Sequence, residues 1–462
     1  MAANKKTRKK PAPERWSSEW IFVLAASGVA IGLHNVWQFA FTVGEFGGGA
    51  FLLVYVGFLL LLGLPLLMSE IMVGRLGRGS PIHSIKALVD RTDSDPNWHL
   101  LGSLKTFTGL LVLSYLSVIA GWTLAYVLRA ASGMFGGLTA DGVNGLFAAF
   151  ASDPEKQIFW HSLFMMMTMV VVARGVRRGF EPVVRKLVPV LFVLLSILLL
   201  YASTTAGIGR ALSQVFAIDF SSLGFKGILS AMAHAFFTLG LGFGAMMMYG
   251  AYLPEEASIT RASLAIIALD TLAGLMAAIV VTAILISGDQ LAVSGPILVF
   301  QALPLALDVL PHSELVATLL FLFLGIAAWL TAIALVEPAM AWLTVAHKMT
   351  RFQASIWCGL SAWALGIVTI LSFNYWAFDF EFFGIKKHLG FFDMLQIVTS
   401  NFLLPLAGLL VALFAGWSLE RGITGETLNI KSPYLYNTWL WLVRIIVPAL
   451  LVIIAISVSR LF

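Results

Sequence analysis

The sequence predicts an all-α integral membrane protein of eleven transmembrane helices: two inverted repeats of five spans and one final span. Three observations predict it. Hydrophobic residues make up 59% of the 462-residue chain and charged residues 11%, against about 25% charged in a soluble domain. Long apolar stretches recur from Trp20 to the C-terminus, each close to the roughly 20 residues that cross a bilayer. Two of these stretches, five spans apart, are interrupted by glycines and polar residues in the same way.

The spans are expected near 20–43, 49–74, 101–130, 158–173, 182–204, 227–252, 262–287, 314–344, 354–373, 391–417 and 437–460. Glycine and charge clusters such as Gly74-Arg75-Leu76-Gly77-Arg78-Gly79 separate them. Positively charged loops stay on the cytoplasmic side. With the N-terminus inside, 21 of the 29 Lys and Arg fall on the inner side and 7 on the outer side, with Arg444 inside the last span. The expected division is a basic cytoplasmic tail over 1–15, repeats over 16–204 and 205–418, and a last span within 419–462 that ends in the periplasm.

Composition also excludes several functions. The net charge of +5 sits mostly in the tail and the inner loops, so no nucleic-acid partner is expected. The basic run Lys5–Lys10 is followed by Pro11 and Pro13, too polar for the apolar region of a signal peptide; it reads as a disordered tail beside the membrane. Cys358 is the single cysteine, so no intrachain disulfide forms. No His-Glu-x-x-His, nucleophile elbow or phosphate loop is present, and no enzyme is expected.

The first interrupted stretch reads Ala26-Ser27-Gly28-Val29-Ala30-Ile31-Gly32-Leu33-His34-Asn35, the second Phe237-Thr238-Leu239-Gly240-Leu241-Gly242-Phe243-Gly244. Five spans is an odd spacing, so the second half is inverted relative to the first. Interrupted spans at matching positions point to a binding site at the midplane of a transporter. Unwound backbone there offers carbonyls to a cation and helix N-termini to an anionic group. The alternative use of such glycines is close helix packing.

At these residues the chain resembles the neurotransmitter:sodium symporter family, with the LeuT fold, the established example of discontinuous transport helices. The resemblance extends over Gly47-Gly48-Gly49-Ala50-Phe51 with Tyr55, Gly63-Leu64-Pro65 with Glu70, Ala120-Gly121-Trp122-Thr123-Leu124, Phe236 to Tyr252, and Ser400-Asn401-Phe402-Leu403-Leu404-Pro405. It implies a multi-pass protein of the bacterial inner membrane that is a monomer or weak dimer, contacts membrane lipid and carries a small organic solute with sodium (Na+). The first sodium site maps onto the Ala30 carbonyl with Asn35, Thr238 and Asp270. The second maps onto the carbonyls of Gly28, Ile31 and Ala327 with Thr331 and the position of Leu330. Such oxygen ligands suit a hard cation. Val29, Ala30, Leu33, His34, Val112, Leu116, Phe237, Thr238, Gly240, Phe243 and Thr331 are the expected solute-site residues.

Several positions depart from the family pattern. Asp270 stands where an amide is usual and Gly274 where a charge-balancing residue often lies. An unpaired carboxylate at mid-membrane costs at least ~2.5–3.5 kcal/mol, so Asp270 needs sodium, a proton or a cationic partner; chloride is then not required. His34 replaces a small residue and His234 a common Gln. Each is a candidate solute contact, proton carrier or space-filler. Leu116 replaces a tyrosine whose hydroxyl binds an amino-acid carboxylate; losing that bond costs roughly 1.5–3 kcal/mol. Either the solute is not a standard α-amino acid or His34 supplies the donor.

Gln38 and Gln396 stand where an Arg–Asp outer gate is usual, with an amide–amide hydrogen bond as the expected replacement. Pro13 and Val345 stand at the inner-gate positions, with Arg15, Trp16 and Tyr252 nearby. Leu330 removes an oxygen from the second sodium site, which leaves one or two sodium ions as the expected complement. Glu70 is expected to brace the unwound part of the sixth span, and Glu337 to be structural.

The leading reading is a sodium-coupled symporter of an amino acid or derivative that works by alternating access. The alternatives are a proton-coupled transporter using Asp270 and His34, and a non-transporting sensor or scaffold of the same fold.

Overall fold

Where a proline enters an apolar helix, the helix has to absorb a missing donor and a clash with the preceding turn. At five prolines this chain does so by widening, while Pro189 and Pro338 sit within α-helix. The structure, a computed structural model, describes residues 14–290, 293–382 and 385–461; Lys5–Lys10 and Pro13 lie outside the described residues. Five π-turns each end two residues before a proline. Leu59–Gly63 precedes Pro65 and Val176–Phe180 precedes Pro182. Leu298–Ala302, Val398–Leu403 and Leu442–Ile446 precede Pro304, Pro405 and Pro448. The extra residue in each turn relieves the ring clash without breaking the helix.

Nine helices among the described residues are long and apolar enough to cross a membrane, and a bent pair makes a tenth. In chain order, span 1 is the pair Glu19–Ala30 and Asn35–Glu45, bent by 57°. Spans 2 to 5 are Gly49–Gly77, Pro96–Ala131, Pro154–Ala173 and Val176–Ser203. Spans 7 to 9 are Ile259–Ser287, Ser313–Ala346 and Arg351–Ser372. Spans 10 and 11 are Gly390–Ser418 and Pro433–Ser457. Span 6 completes the expected set in two pieces, Phe220–Phe237 and Ala245–Ala251, each too short or too polar to cross alone.

Helix ends run past the apolar cores that predicted them. Span 6 starts at Phe220 because the Asp219 carboxylate accepts bonds from the N–H groups of Ser221 and Ser222, at 2.9 and 3.3 Å. A kink at Gly224 (φ +52°) then redirects it. Those two serines also donate their hydroxyls to Asp219, which holds its carboxyl well below the usual range, at about 2. The loop after span 7, free of Lys and Arg, folds into the buried turns Leu298–Ala302 and Leu303–Asp308. Outside the spans a short antiparallel hairpin pairs Phe380–Phe382 with Ile385–Lys387.

Spans 3 and 8 run against each other as the central scaffold. Gly109 of span 3 lies where a Cβ would come within 2.9 Å of the Phe243 carbonyl and 3.2 Å of the Leu335 carbonyl. This close approach seats the break of span 6 on the scaffold. The break is also held by charge. Gly242 N–H donates to Glu70 Oε1 at 2.9 Å, and Lys105 Nζ donates to the same oxygen at 2.6 Å. Both side chains are fully buried. The expected brace by Glu70 is present; Lys105, read from sequence as one of the inner-side cations, is instead its counter-ion inside the protein.

Removing one partner of a buried ion pair costs about 3–5 kcal/mol because the other charge is stranded. Lys105→Met is therefore expected to lower the thermal midpoint of the purified protein by several degrees, with Glu70→Gln in the same chain restoring much of the loss. A single variant that melts with the parent would show the pair to be dispensable.

Candidate functional site

Span 1 holds helical bonding to Ala30 and then turns. Ile31 N–H still reaches the Ser27 carbonyl at 2.8 Å, but Gly32 N–H bonds the Ala30 carbonyl at 2.8 Å. That switch releases the Gly28 oxygen from the helical ladder. The helix resumes at Leu33 and opens into a π-turn over Asn35–Phe39. The break is thus narrower than the glycine pattern suggested. Gly28 lies inside the first helix, where a Cβ would meet Val188 at 3.0 Å and Leu330 at 3.2 Å; it packs closely there while the turn frees its carbonyl, and Gly32 is the glycine at the turn.

Span 6 breaks over residues 238–244. Gly240, Gly242 and Gly244 have φ of +63°, +88° and +81°, a region open to glycine at little cost. The two breaks touch, since a Cβ on Gly240 would stand 2.9 Å from Val29 Cγ1 and 3.9 Å from the Phe243 ring.

The side chains assigned to the first sodium site converge here. Asn35 Nδ2 donates to Asp270 Oδ1 at 2.8 Å, and Thr238 Oγ1 donates to Asp270 Oδ2 at 2.8 Å. Thr238 Oγ1 also lies 3.4 Å from Asn35 Oδ1. These residues are 1–3% exposed, and no Lys or Arg pairs with Asp270 among the described residues. A carboxylate, an amide oxygen and a hydroxyl in one buried cluster fit a hard monovalent cation. Gly274, one turn further along span 7, packs against Phe39 and Asn35 and leaves Asp270 as the acid on that face.

The second set is also adjacent, with one shift. Thr331 Oγ1 donates to Ala327 O at 3.1 Å and to Val29 O at 3.3 Å, so it engages the carbonyl next to Gly28. The Leu330 side chain covers Gly28. Span 8 therefore offers the Thr331 hydroxyl and the Ala327 carbonyl here, with an apolar group where a further ligand was sought. Ala30 and Ile31 are buried at the turn itself.

Around the solute space, Leu33 and Val112 are buried and Leu116, Phe237 and Phe243 are partly so. Tyr115, the hydroxyl nearest in sequence to Leu116, is turned toward Thr399 Oγ1 at 3.2 Å, so it does not replace the missing donor. His34 stacks on His234 with ring centroids 4.7 Å apart, and His234 stacks on Phe39 at 4.7 Å. Phe237 lies edge-on to His34 at 6.5 Å. The histidines stood out in the sequence as unusual, but a separation of 200 positions hides a stack; only the meeting of the breaks makes it. Tyr55 packs on His234 and faces Asp270, a neighbour the sequence gave no reason to place there.

The gates differ from expectation. Gln38 and Gln396 do not hydrogen-bond to each other among the described residues; Gln396 is exposed. Val345 is exposed and joins no gate. On the N-terminal side, Arg15, Trp16 and Tyr252, expected near the inner gate, are joined by Glu14, Glu337 and Arg351. Trp16 is buried, with its N–H on the Tyr252 carbonyl at 3.0 Å and its Nε1 on the Tyr249 carbonyl at 3.1 Å. Arg15 pairs with Glu255 at 2.9 Å. Arg351 bridges Glu337 at 2.6 Å and Glu14 at 3.2 Å, and Tyr252 donates its hydroxyl to Glu337. Glu337 is structural, as expected, but its partner Arg351 was not foreseen, because the two lie on different helices, spans 8 and 9, and helical periodicity relates residues only within one helix.

Comparison with known proteins agrees with this architecture. The model of the sodium:neurotransmitter symporter family matches residues 13–135 and 155–457. An uncharacterised sodium-dependent transporter of Bacillus subtilis (strain 168) is 33% identical over 448 residues, 96% of this chain and 97% of that protein. Another, from Haemophilus influenzae, is 27% identical over 472 residues and spans the whole of both chains. The crystal structure of MhsT in complex with L-phenylalanine matches with a TM-score of 0.86 at 34% identity, covering 96% of this chain and 99% of that one. With two broken spans meeting at an oxygen-lined site and a family match over most of its length, this chain belongs to the sodium:neurotransmitter symporter family.

Proposed function

We propose that this protein couples the movement of a small amino acid or amino-acid derivative to sodium by alternating access. The observation that carries the proposal is the Asn35–Thr238–Asp270 cluster. It joins both broken spans to span 7 through a buried carboxylate that lacks a basic partner. A cation entering there exchanges hydrogen bonds among these groups for oxygen coordination, and so ties the two breaks together. The solute lies beside them, bounded by Val29, His34, Val112, Leu116, Phe237, Gly240 and Phe243. Those walls are apolar apart from His34, which favours an aliphatic or aromatic side chain. That MhsT was solved with L-phenylalanine supports the same class.

Arrangement on the two faces supports the cycle. The N-terminal side is closed by Trp16 and the Arg351 bridges, while the two gate glutamines opposite are unjoined. Opening the sealed side requires Trp16 to leave its seat on span 6, which makes release dependent on that helix half. We place the sealed side in the bacterial cytoplasm and assign one firm sodium site, the second being weakened by Leu330. Asp270 supplies the negative charge that balances sodium, so chloride is not a requirement.

The stacked imidazoles favour one second reading, in which Asp270 and His34 carry a proton in place of sodium. Thermal stabilisation of the purified protein by amino acids and amines, in sodium and in potassium, separates the two. A ligand at a hundred times its Kd adds about 2.7 kcal/mol, so the shift is measurable. Stabilisation that appears only in sodium is expected; equal stabilisation in both salts that changes with pH would establish the proton reading.

Asp270→Asn removes the charge but keeps the size, and is expected to weaken apparent sodium affinity by about tenfold or more. Sodium titration of the thermal midpoint reads this directly. Uptake into vesicles with gluconate in place of chloride is expected to match uptake in chloride, and a large loss would reject the charge-balancing role of Asp270.

A further inference from the structure

Spans 4 and 9 leave a cleft between them on the outside of the bundle. It has a volume of about 470 Å3, and its walls are almost wholly apolar. Met165, Met166 and Met169 line one side, and Phe352, Ile356 and Leu360 the other. Several of these are well exposed, Met166 at 60% and Phe352 at 66%. Gly359 forms part of the floor, and a Cβ there would strike Met169 at 2.8 Å. The absent side chain lets the two spans close on each other at the floor, and flexible thioethers let the wall above adapt to an irregular occupant.

One end of the cleft is basic. Span 4 ends at Ala173, a lining residue, and Arg174 follows at once. Gly175 next to it lies against Glu14 and Arg351 at the start of span 9, which places the Arg174–Arg178 turn at this mouth. Arg174, Arg177 and Arg178 are exposed. Arg177 donates its Nε to the Arg15 carbonyl at 2.9 Å, and no acid pairs with Arg174 or Arg178 among the described residues. An apolar channel at hydrocarbon depth that ends in unpaired guanidiniums has the layout of an amphiphile with an anionic head.

We propose that this cleft binds an anionic phospholipid, with an acyl chain along the methionine wall and the phosphate on Arg174 and Arg178. The basic mouth also argues against a second copy of this chain as occupant. A two-fold contact through this face sets the same patch of each protomer in a shared interface, and the acid at this mouth, Glu14, is already engaged by Arg351 at 3.2 Å and the Val176 N–H at 3.0 Å, so it does not serve the other copy's arginines. Because the cleft joins span 4 to span 9 beside the Arg351 bridges, bound lipid would bear on the two helices that flank the sealed face.

Native mass spectrometry of the full chain, purified in detergent and offered phosphatidylglycerol or phosphatidylcholine, tests this. Phosphatidylglycerol is expected to be retained about twenty-five-fold better. Each arginine near a membrane surface contributes about fivefold in affinity for an anionic lipid, so Arg174→Gln with Arg178→Gln should erase the preference. Met166→Trp with Ile356→Trp fills the cleft and should reduce retention of both lipids, while the arginine variant still holds phosphatidylcholine. Inorganic phosphate at the same concentration should not displace bound lipid. Equal retention of the two lipids by the parent, a preference that survives the arginine changes, or displacement by free phosphate would each overturn the proposal. So would a lipid-free dimer that the tryptophan variant dissolves.

Discussion

Backbone without a partner is affordable in a membrane only where protein closes around it. In the segment from Thr238 to Gly244, the Thr238 and Gly240 N–H groups bond the His234 and Phe237 carbonyls, and the Gly242 N–H is met from outside by the Glu70 carboxylate with Lys105 behind it. Glu70 belongs to span 2 and Lys105 to span 3, so the unwound segment is tied both to a neighbour and to the scaffold. Without this pair the segment would have to rewind or carry a bare donor in hydrocarbon, and the surface that faces Val29 would be lost. The oxygen cluster at Asp270, the imidazole stack and the seat of Trp16 all lie on one half of span 6 or the other.

Charge is distributed by the same economy. Asp270 is buried without a basic partner among the described residues, at the proposed sodium site, whereas Glu70 and Glu337 are each matched to Lys105 and Arg351. The matched acids hold shape and the unmatched one is available to a ligand. The two faces are equally unequal: bridges and a buried indole close the N-terminal side, and unjoined amides stand at the other. A transporter needs both sides to open in turn, and here the stronger closure is on the side where charged groups are tied to the chain's N-terminus.

Much of this architecture is legible in the sequence. Apolar length marked the spans because hydrocarbon thickness sets it, and Gly240, Gly242 and Gly244 marked a break because their positive φ excludes most other residues. Asn35, Thr238 and Asp270 were grouped through the family resemblance, and the structure brings their side chains into hydrogen-bonding distance. Pattern reading was less reliable for single residues. Gly28 looked like part of the unwinding but packs inside the first helix, and a Gln38–Gln396 bond did not form, since residue type says nothing about whether two gate groups stand within reach.

The sequence by itself determined the membrane class, the order of spans, the two interruptions and the prolines that widen five helices, because these depend on local composition and short-range sterics. Only the tertiary structure decided who meets whom: Lys105 with Glu70, Arg351 with Glu337 and Glu14, His34 on His234, and the cleft between spans 4 and 9. Each is a contact between segments distant along the chain or a space between helices, and its geometry depends on how packed helices are rotated and offset, which no local pattern encodes.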